Sequence, residues 1–120
     1  MEGSNTGLKN RPSIKVYFDC DHLSESDFRD VLLGIEEEGI PYDVQPKNIS
    51  DVLELAYQAS ISSRIGVGVG ISKEGIVLQY EKLDKAAPLF RIKLYQLELH
   101  RKIGSNAARL VKKMPFKSLD

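Results

Sequence analysis

The chain has 120 residues, and its 17 basic and 17 acidic side chains give a formal net charge of zero at pH 7. This length suits one domain with a modest hydrophobic core, and the balanced charge argues against a surface that binds polyanions generally. A single cysteine excludes an internal disulfide bond, and no apolar stretch approaches membrane-spanning length. We therefore expect a cytoplasmic protein that has no membrane partner.

The amino-terminal stretch MEGSNTGLKNRP has no apolar central region, so it does not have the pattern of a secretory signal. Its Gly, Ser, Asn and Pro content predicts a disordered tail over residues 1–12. The ordered domain is expected to cover residues 13–117. The sequence contains no internal repeat and no indication of a second domain.

The first elements predicted are a strand and a helix. Apolar and polar side chains alternate in SIKVYFD, which predicts a half-buried strand. Ser24 is a natural N-cap for the helix that follows, with Asp27 completing a capping box. Gly39 can take the left-handed conformation that closes a helix, and Pro41 prevents its continuation. The predicted inner face of this helix consists of Phe28, Val31, Leu32 and Ile35.

The second strand is predicted in IPYDVQ, and a second helix follows with Asn48 or Ser50 as its N-cap. In the third strand, RIGVGVGIS, Gly66, Gly68 and Gly70 share one face, so another backbone can approach that face closely. The segment SKEG predicts a tight turn into a fourth strand, IVLQY, and LFRIKLY predicts a fifth. The inner stripe of the second helix is expected to be Val52, Leu55, Ala56 and Ala59.

The last predicted element is a helix that Pro115 ends and that Gly104 interrupts. Its apolar face would contain Ile103, Ala107, Leu110, Val111 and Met114. This order of elements predicts the α/β class: a single three-layer domain with a mostly parallel four- or five-stranded sheet, one antiparallel hairpin and three helices. We expect it to resemble the anticodon-binding-domain-like fold.

Two motifs invite a catalytic or ligand-binding interpretation. The segment DCDH, residues 19–22, has metal-ligating residue types, but adjacent residues on one turn rarely converge on an ion, so turn chemistry is favoured. Cys20 as a nucleophile would need a base, and of the two histidines, His22 and His100, the second is expected to face solvent. GVGVG lacks the third glycine of a dinucleotide fingerprint, because Ile71 occupies its place.

The carboxy-terminal end of the chain is basic. Cations near the end of a helix are favourable electrostatically, so some need no functional explanation. No set of aromatic side chains is interleaved with them for stacking on bases, so we expect no nucleic-acid partner. A stand-alone α/β domain that binds a ligand or RNA is nevertheless the alternative interpretation. The basic residues are Arg101, Lys102, Arg109, Lys112, Lys113 and Lys117.

Three glutamates occur in a row at the end of the first predicted helix, where the helix dipole disfavours negative charge. Helical spacing places Glu36 and Glu38 beside the apolar face and points Glu37 away from the core, with Asp30 and Leu33 on the same outward side. A solvated surface is the simpler interpretation. Alternatively, Glu37 offers a carboxylate to a cation or a basic partner, and the remaining ligands of any metal ion come from another chain.

Four blocks of sequence together resemble a known family. VLLGIEEEGIPY, AYQASISS, KAAPLF and GSNAARLVKKMPF, with the spacing between them, are similar to the small subunit of the diol/glycerol dehydratase-reactivating factor. The resemblance extends from about Ile14 to Phe116, and the first and last blocks are the most specific. One departure is QPKN after the second strand, where many members of the family carry a histidine pair.

This resemblance implies a non-catalytic subunit of a chaperone-like assembly. In that family, a large subunit binds and hydrolyses ATP, and the small subunit exchanges with a dehydratase subunit. The exchange releases damaged cobalamin from an adenosylcobalamin-dependent diol or glycerol dehydratase. The implied partners are thus the large ATPase subunit and dehydratase subunits, and the implied location is the cytoplasm, with association with a bacterial microcompartment. Self-association of the isolated chain is a weaker expectation.

The resemblance also assigns a role to the glutamate run. In the family, its middle member approaches the nucleotide-binding region of the large subunit and helps to hold a divalent ion. Carried over, Glu37 would be a ligand in trans for Mg²⁺ or a similar ion, with no cofactor bound by this chain alone. The implied interface residues are Asp30, Leu33, Glu36 and Glu37.

Overall fold

The structure, a computed structural model, describes residues 12–120. Its strands are β1 (Ile14–Asp19), β2 (Tyr42–Lys47), β3 (Val67–Ser72), β4 (Gly75–Tyr80) and β5 (Phe90–Ile92). Its α-helices are α1 (Arg29–Glu37), α2 (Val52–Ser62) and α3 (His100–Lys112), with short 3-10 helices before α1 (Glu25–Phe28) and before α3 (Leu97–Leu99). The predicted disordered tail falls, apart from its last residue, outside the described residues.

The five strands form one mixed sheet in the order β2-β1-β3-β4-β5. Strand β1 is parallel to both of its neighbours, and β4 is antiparallel to both of its own, so four of the five strands point the same way. Helices α1 and α3 cover one face of this sheet and α2 covers the other. The predicted three-layer α/β domain with three helices is confirmed, whereas its assignment to the anticodon-binding-domain-like fold stays a prediction.

Strand β1 is buried on both faces, so the expectation of a half-buried strand was wrong. Ile14, Val16 and Phe18 enter the core beneath α1 and α3. Tyr17, on the opposite face, packs against Leu55 of α2. The alternation of apolar and polar residues could not reveal this. The second face of the strand presents a tyrosine and the stem of a lysine rather than aliphatic side chains.

The predicted close approach of another backbone is confirmed for Gly68 and Gly70, which lie directly under α2, whereas Gly66 precedes β3 and faces the Glu81 side chain. A Cβ atom added to Gly68 would lie 2.2 Å from the backbone nitrogen of Ser60. One added to Gly70 would lie 2.4 Å from the backbone nitrogen of Ala56. These separations are too short for any side chain, so the glycines allow the helix to pack directly on the strand backbone.

The start of the first helix follows the predicted capping pattern. The backbone N–H of Ser24 donates to Asp27 Oδ2 at 2.9 Å, although a 3-10 turn precedes α1. The predicted caps of α2 were wrong, since the Asp51 carboxylate accepts from the backbone N–H groups at positions 53 and 54. Asn48 is engaged elsewhere, donating to Asp21 Oδ1 at 2.9 Å. At the end of α1, Gly39 has the expected positive φ of 79°.

Two expectations about helix α3 were wrong. His100 does not face solvent: its ring is buried and its Nε2 lies 2.8 Å from the carbonyl oxygen of Leu94. Met114 lies beyond the helix, because Lys113 takes a left-handed conformation with φ 59° and closes it. Gly104, whose effect on the helix the sequence left open, lies within it.

Helices α1 and α3 cross with their backbones in contact. A Cβ atom on Gly34 would lie 2.2 Å from the carbonyl oxygen of Arg101, and one on Gly104 would lie 2.0 Å from that of Val31. Each helix thus presents a glycine to the other at the crossing, and no larger residue fits without separating them. This contact fixes the position of Arg101 relative to the acidic residues of α1.

Candidate partner-binding surface

The side chain of Glu37 is 54% exposed at the carboxy-terminal end of α1. Helical geometry from the sequence predicted this outward direction. The residue is not isolated, however, because its Oε2 lies 3.3 Å from an Arg101 guanidinium nitrogen on α3. The predicted outward carboxylate is therefore part of an ion pair between the two helices.

Arg101 also reaches Asp30, two turns before Glu37 on the same helix. Its other terminal nitrogen lies 3.6 Å from Asp30 Oδ1, and both side chains are about half exposed. Arg101 thus bridges two of the four residues predicted to form an interface. The sequence offered one sign of this arrangement, a cation near the start of a helix, where the helix dipole disfavours positive charge.

The other two predicted interface residues, Leu33 and Glu36, line a shallow recess with Tyr42 of β2. The recess has a volume of about 150 Å³. Partial burial raises the pKa of the Tyr42 hydroxyl, and the charges of Glu36 and Glu25 raise it further. Leu33 is half-buried and Glu36 is exposed, so the predicted surface is acidic with a small apolar centre.

The third glutamate of the run has a structural role that sequence reasoning missed. Glu38 accepts from Ser105 Oγ at 2.5 Å, from Arg109 Nε at 3.0 Å and from Lys112 Nζ at 2.8 Å. The hydrogen bond from Lys112, followed by those from Ser105 and Arg109, lowers its carboxyl pKa to about 2. Two of the basic residues of α3 therefore point at Glu38, which weakens the case for an RNA-binding surface there.

The DCDH segment forms a turn, as its sequence favoured. Asp19 is buried, and its carboxylate accepts from the backbone N–H of Asp21 at 3.0 Å and lies 2.7 Å from His22 Nδ1. Cys20 is exposed, with the amide nitrogen of Asn48 3.7 Å from its sulfur. In the described part of the chain, no hydrogen bond joins the Cys20 sulfur to His22, and His100 is buried with its ring bound to the carbonyl oxygen of Leu94.

Over residues 12–120, no three His, Cys, Asp or Glu side chains converge in a group that could hold a metal ion. Asp30 and Glu37 offer carboxylate oxygens, the ligands that Mg²⁺ prefers, but both are paired with Arg101. A nearby guanidinium opposes binding of a second cation. Among the described residues, these side chains therefore offer at most part of the ligand set that a divalent ion needs.

The sequence is similar to proteins of one family along most of its length. Residues 11–117 match the model of the family described as dehydratase medium subunit. The chain belongs to that family. Within it, a diol dehydratase-reactivating factor small subunit from Klebsiella michiganensis is 43% identical over 109 residues, covering 90% of this chain and 84% of the relative. A propanediol dehydratase-reactivating factor small subunit from Salmonella typhimurium is 42% identical over 107 residues, covering 88% and 89%.

Solved structures of the same family share the fold. One described as diol dehydratase-reactivating factor complexed with ADP and Mg²⁺ contains a chain with 39% identity and a TM-score of 0.82, covering 91% of this chain and all of that one. A glycerol dehydratase reactivase chain has 26% identity and a TM-score of 0.86, with coverage of 92% and 100%. The resemblance to reactivating-factor small subunits is thereby confirmed.

In the part of the chain that the structure describes, no helix combines the length and the apolar character needed to cross a bilayer.

Proposed function

We propose that this chain is the small subunit of a reactivating factor for an adenosylcobalamin-dependent diol or glycerol dehydratase. Its similarity to such subunits over most of both chains carries the proposal. In this role the chain has no active site of its own. It works in the cytoplasm, in or beside a bacterial microcompartment.

The proposed mechanism is an exchange of subunits. This chain leaves its large partner and binds the dehydratase in place of a dehydratase subunit, which opens the enzyme and lets damaged cobalamin leave. ATP hydrolysis in the large subunit drives the cycle. The compact single domain supports such a role, because a rigid α/β body can exchange between partners without refolding.

The surface that contacts the large subunit is proposed to contain Asp30, Leu33, Glu36 and Glu37. Its exposure and its place on one helix support this assignment. Glu37 would supply a carboxylate oxygen to a divalent ion that the large subunit also binds, with ATP or its product held by that subunit. Such an ion would attract the Glu37 carboxylate and the ligands of the large subunit at the same time, and so add electrostatic attraction across a largely polar interface.

The first test is co-expression with the large subunit encoded beside a dehydratase. A stable complex that survives gel filtration is expected, and this complex, supplied with ATP, Mg²⁺ and intact adenosylcobalamin, should restore activity to inactivated dehydratase. Recovery of the two subunits as separate species, with no reactivation, would contradict the proposal.

The second test concerns Glu37. Glu37→Gln keeps the size of the side chain but removes its charge, so the complex should lose most of its Mg²⁺ dependence when assembly is followed against Mg²⁺ concentration. Glu81→Gln, at an exposed position directly after β4, is the matched control and should behave as wild type. Wild-type Mg²⁺ dependence in Glu37→Gln would remove the role assigned to this residue.

A further inference from the structure

Arg101 is held opposite the acidic side of α1 by the backbone, rather than by its own side chain alone. A Cβ atom added to Gly34 would lie only 2.2 Å from the carbonyl oxygen of Arg101. Gly34 is four residues after Asp30 and three before Glu37, so Arg101 faces the point midway between the two carboxylates. The helix crossing therefore determines that this guanidinium can reach both of them.

The guanidinium lies between these two carboxylates and contacts both of them. It lies 3.3 Å from Glu37 and 3.6 Å from Asp30, measured between nitrogen and oxygen atoms. A guanidinium donates hydrogen bonds but has no acceptor atom, so it cannot become a ligand of a metal ion. A divalent ion at Glu37 would instead be repelled by the charge of Arg101 across a few ångströms.

We infer that Arg101 is an internal counter-ion that competes with the divalent ion for Glu37 and so makes ion binding conditional on the partner subunit. This inference rests on the proposed function, in which Glu37 is an ion ligand in trans. When the large subunit supplies its ligands, Arg101 gives up Glu37 and is retained by Asp30 alone. In the isolated chain, Arg101 offsets one of the two negative charges of Asp30 and Glu37, and the surface binds no ion.

The bridging geometry separates this role from that of an ordinary exposed ion pair. An ion pair on a protein surface contributes little to stability and needs only one carboxylate. Here the guanidinium already contacts both carboxylates, so Asp30 retains it after Glu37 is released. Glu37 and Asp30 therefore have different parts, the first as the site of competition and the second as the retaining group.

The test is a Mg²⁺ titration of assembly between the full-length chain and the large subunit, at one fixed ionic strength. Arg101→Gln should lower the Mg²⁺ concentration for half-maximal assembly by about three- to tenfold, since it removes a unit charge near the ion. Arg91→Gln, an exposed arginine on β5, is the matched control and should leave the midpoint unchanged. Arg101→Lys keeps the charge and should stay near the wild-type midpoint.

Substitution of Asp30 should change the Mg²⁺ midpoint in the opposite direction to substitution of Arg101. Asp30→Asn leaves Glu37 as the only partner of Arg101, so it should raise the Mg²⁺ midpoint by about two- to threefold. In the Arg101→Gln background the same change should have a smaller effect, which a double-mutant cycle measures. Equal effects in both backgrounds would overturn the part assigned to Asp30.

An unchanged or raised midpoint in Arg101→Gln would overturn the inference. So would loss of assembly at saturating Mg²⁺ in a variant with wild-type thermal unfolding, because Arg101 would then bind the large subunit directly. These outcomes are separate from failure of the proposed function. If Glu37→Gln keeps the wild-type Mg²⁺ dependence, the ion role of Glu37 fails, whatever Arg101 does.

Discussion

At the scale of single residues, three consecutive glutamates have three different environments. Glu36 lies exposed beside a shallow recess, Glu37 pairs with Arg101 at the surface, and Glu38 is turned inward with only 12% of its side chain exposed. The unfavourable position at a helix end is thus offset for Glu38 by cations from another helix. The run carries a structural function at its last position and a proposed partner-binding function at its middle one.

Glu38→Gln should lower the free energy of unfolding at pH 7 by about 1–3 kcal/mol, because charge-assisted hydrogen bonds to Arg109 and Lys112 are lost. Denaturant unfolding of the two proteins measures this difference. Glu37→Gln is the control and should change stability by less than about 1 kcal/mol, since its ion pair is half exposed on both sides.

The same residue predicts a pH dependence. The pKa of Glu38 is lowered from 4.5 to about 2 in the folded chain, so its stabilisation is present above pH 4.5 and is lost as the pH falls towards 2. The stability difference between wild type and Glu38→Gln should therefore shrink across this window. A difference that stays constant between pH 7 and pH 2.5 would contradict the pairing.

At the scale of elements, the glycine crossing of α1 and α3 is the contact that sets the candidate surface. Gly104→Ala should destabilise the fold by about 2–3 kcal/mol, because its Cβ atom would clash with the carbonyl oxygen of Val31 and separate the helices. The gain in helix propensity from alanine, up to about 1 kcal/mol, offsets only part of this. Thermal and denaturant unfolding measure the net change.

Gly39→Ala separates this clash from backbone strain. Gly39 has φ 79°, but a Cβ atom there would meet nothing within 4 Å, so the cost should be only about 1 kcal/mol. Gly104→Ala should also weaken the pairing of Arg101 with α1, whereas Gly39→Ala should not. Equal destabilisation by the two changes would contradict the close crossing.

At the scale of the whole molecule, the sequence predicted those features whose cause is local. The periodicity of apolar residues predicted all three helices, and the alternation of glycine with aliphatic residues predicted that another backbone packs closely on β3, which the structure shows to be that of α2. Features set by distant contacts were missed. The partners of Glu38 lie 67 to 74 residues away, and the burial of β1 on both faces depends on where α2 docks.

His100 is an intermediate case, because a signal for its burial was present. It lies three residues before Ile103 and seven before Ala107, so it continues the inner face of α3, where those two residues are fully buried. A polar residue type concealed this periodicity. Its buried ring is satisfied by the carbonyl oxygen of Leu94, six residues earlier in the chain.

The isolated chain should not be stabilised by Mg²⁺ or by a nucleotide. A ligand raises the melting temperature only when the folded chain binds it, and residues 12–120 bring together no group of three metal-ligating side chains. The purified chain is titrated with Mg²⁺ to about a hundred times the concentration that supports assembly, and its melting temperature should stay constant. If the chain bound the ion equally well by itself, this excess would raise the free energy of unfolding by about 2.7 kcal/mol.

The complex with the large subunit is the positive control, because its melting temperature should rise with Mg²⁺ under the same conditions. Arg101→Gln extends the comparison to this chain alone. Removing the internal counter-ion should let the isolated variant bind Mg²⁺ weakly, while two carboxylates still provide too few oxygen ligands for tight binding. A rise in the melting temperature of the wild-type isolated chain would mean that it holds the ion without help, which contradicts a site completed by the partner.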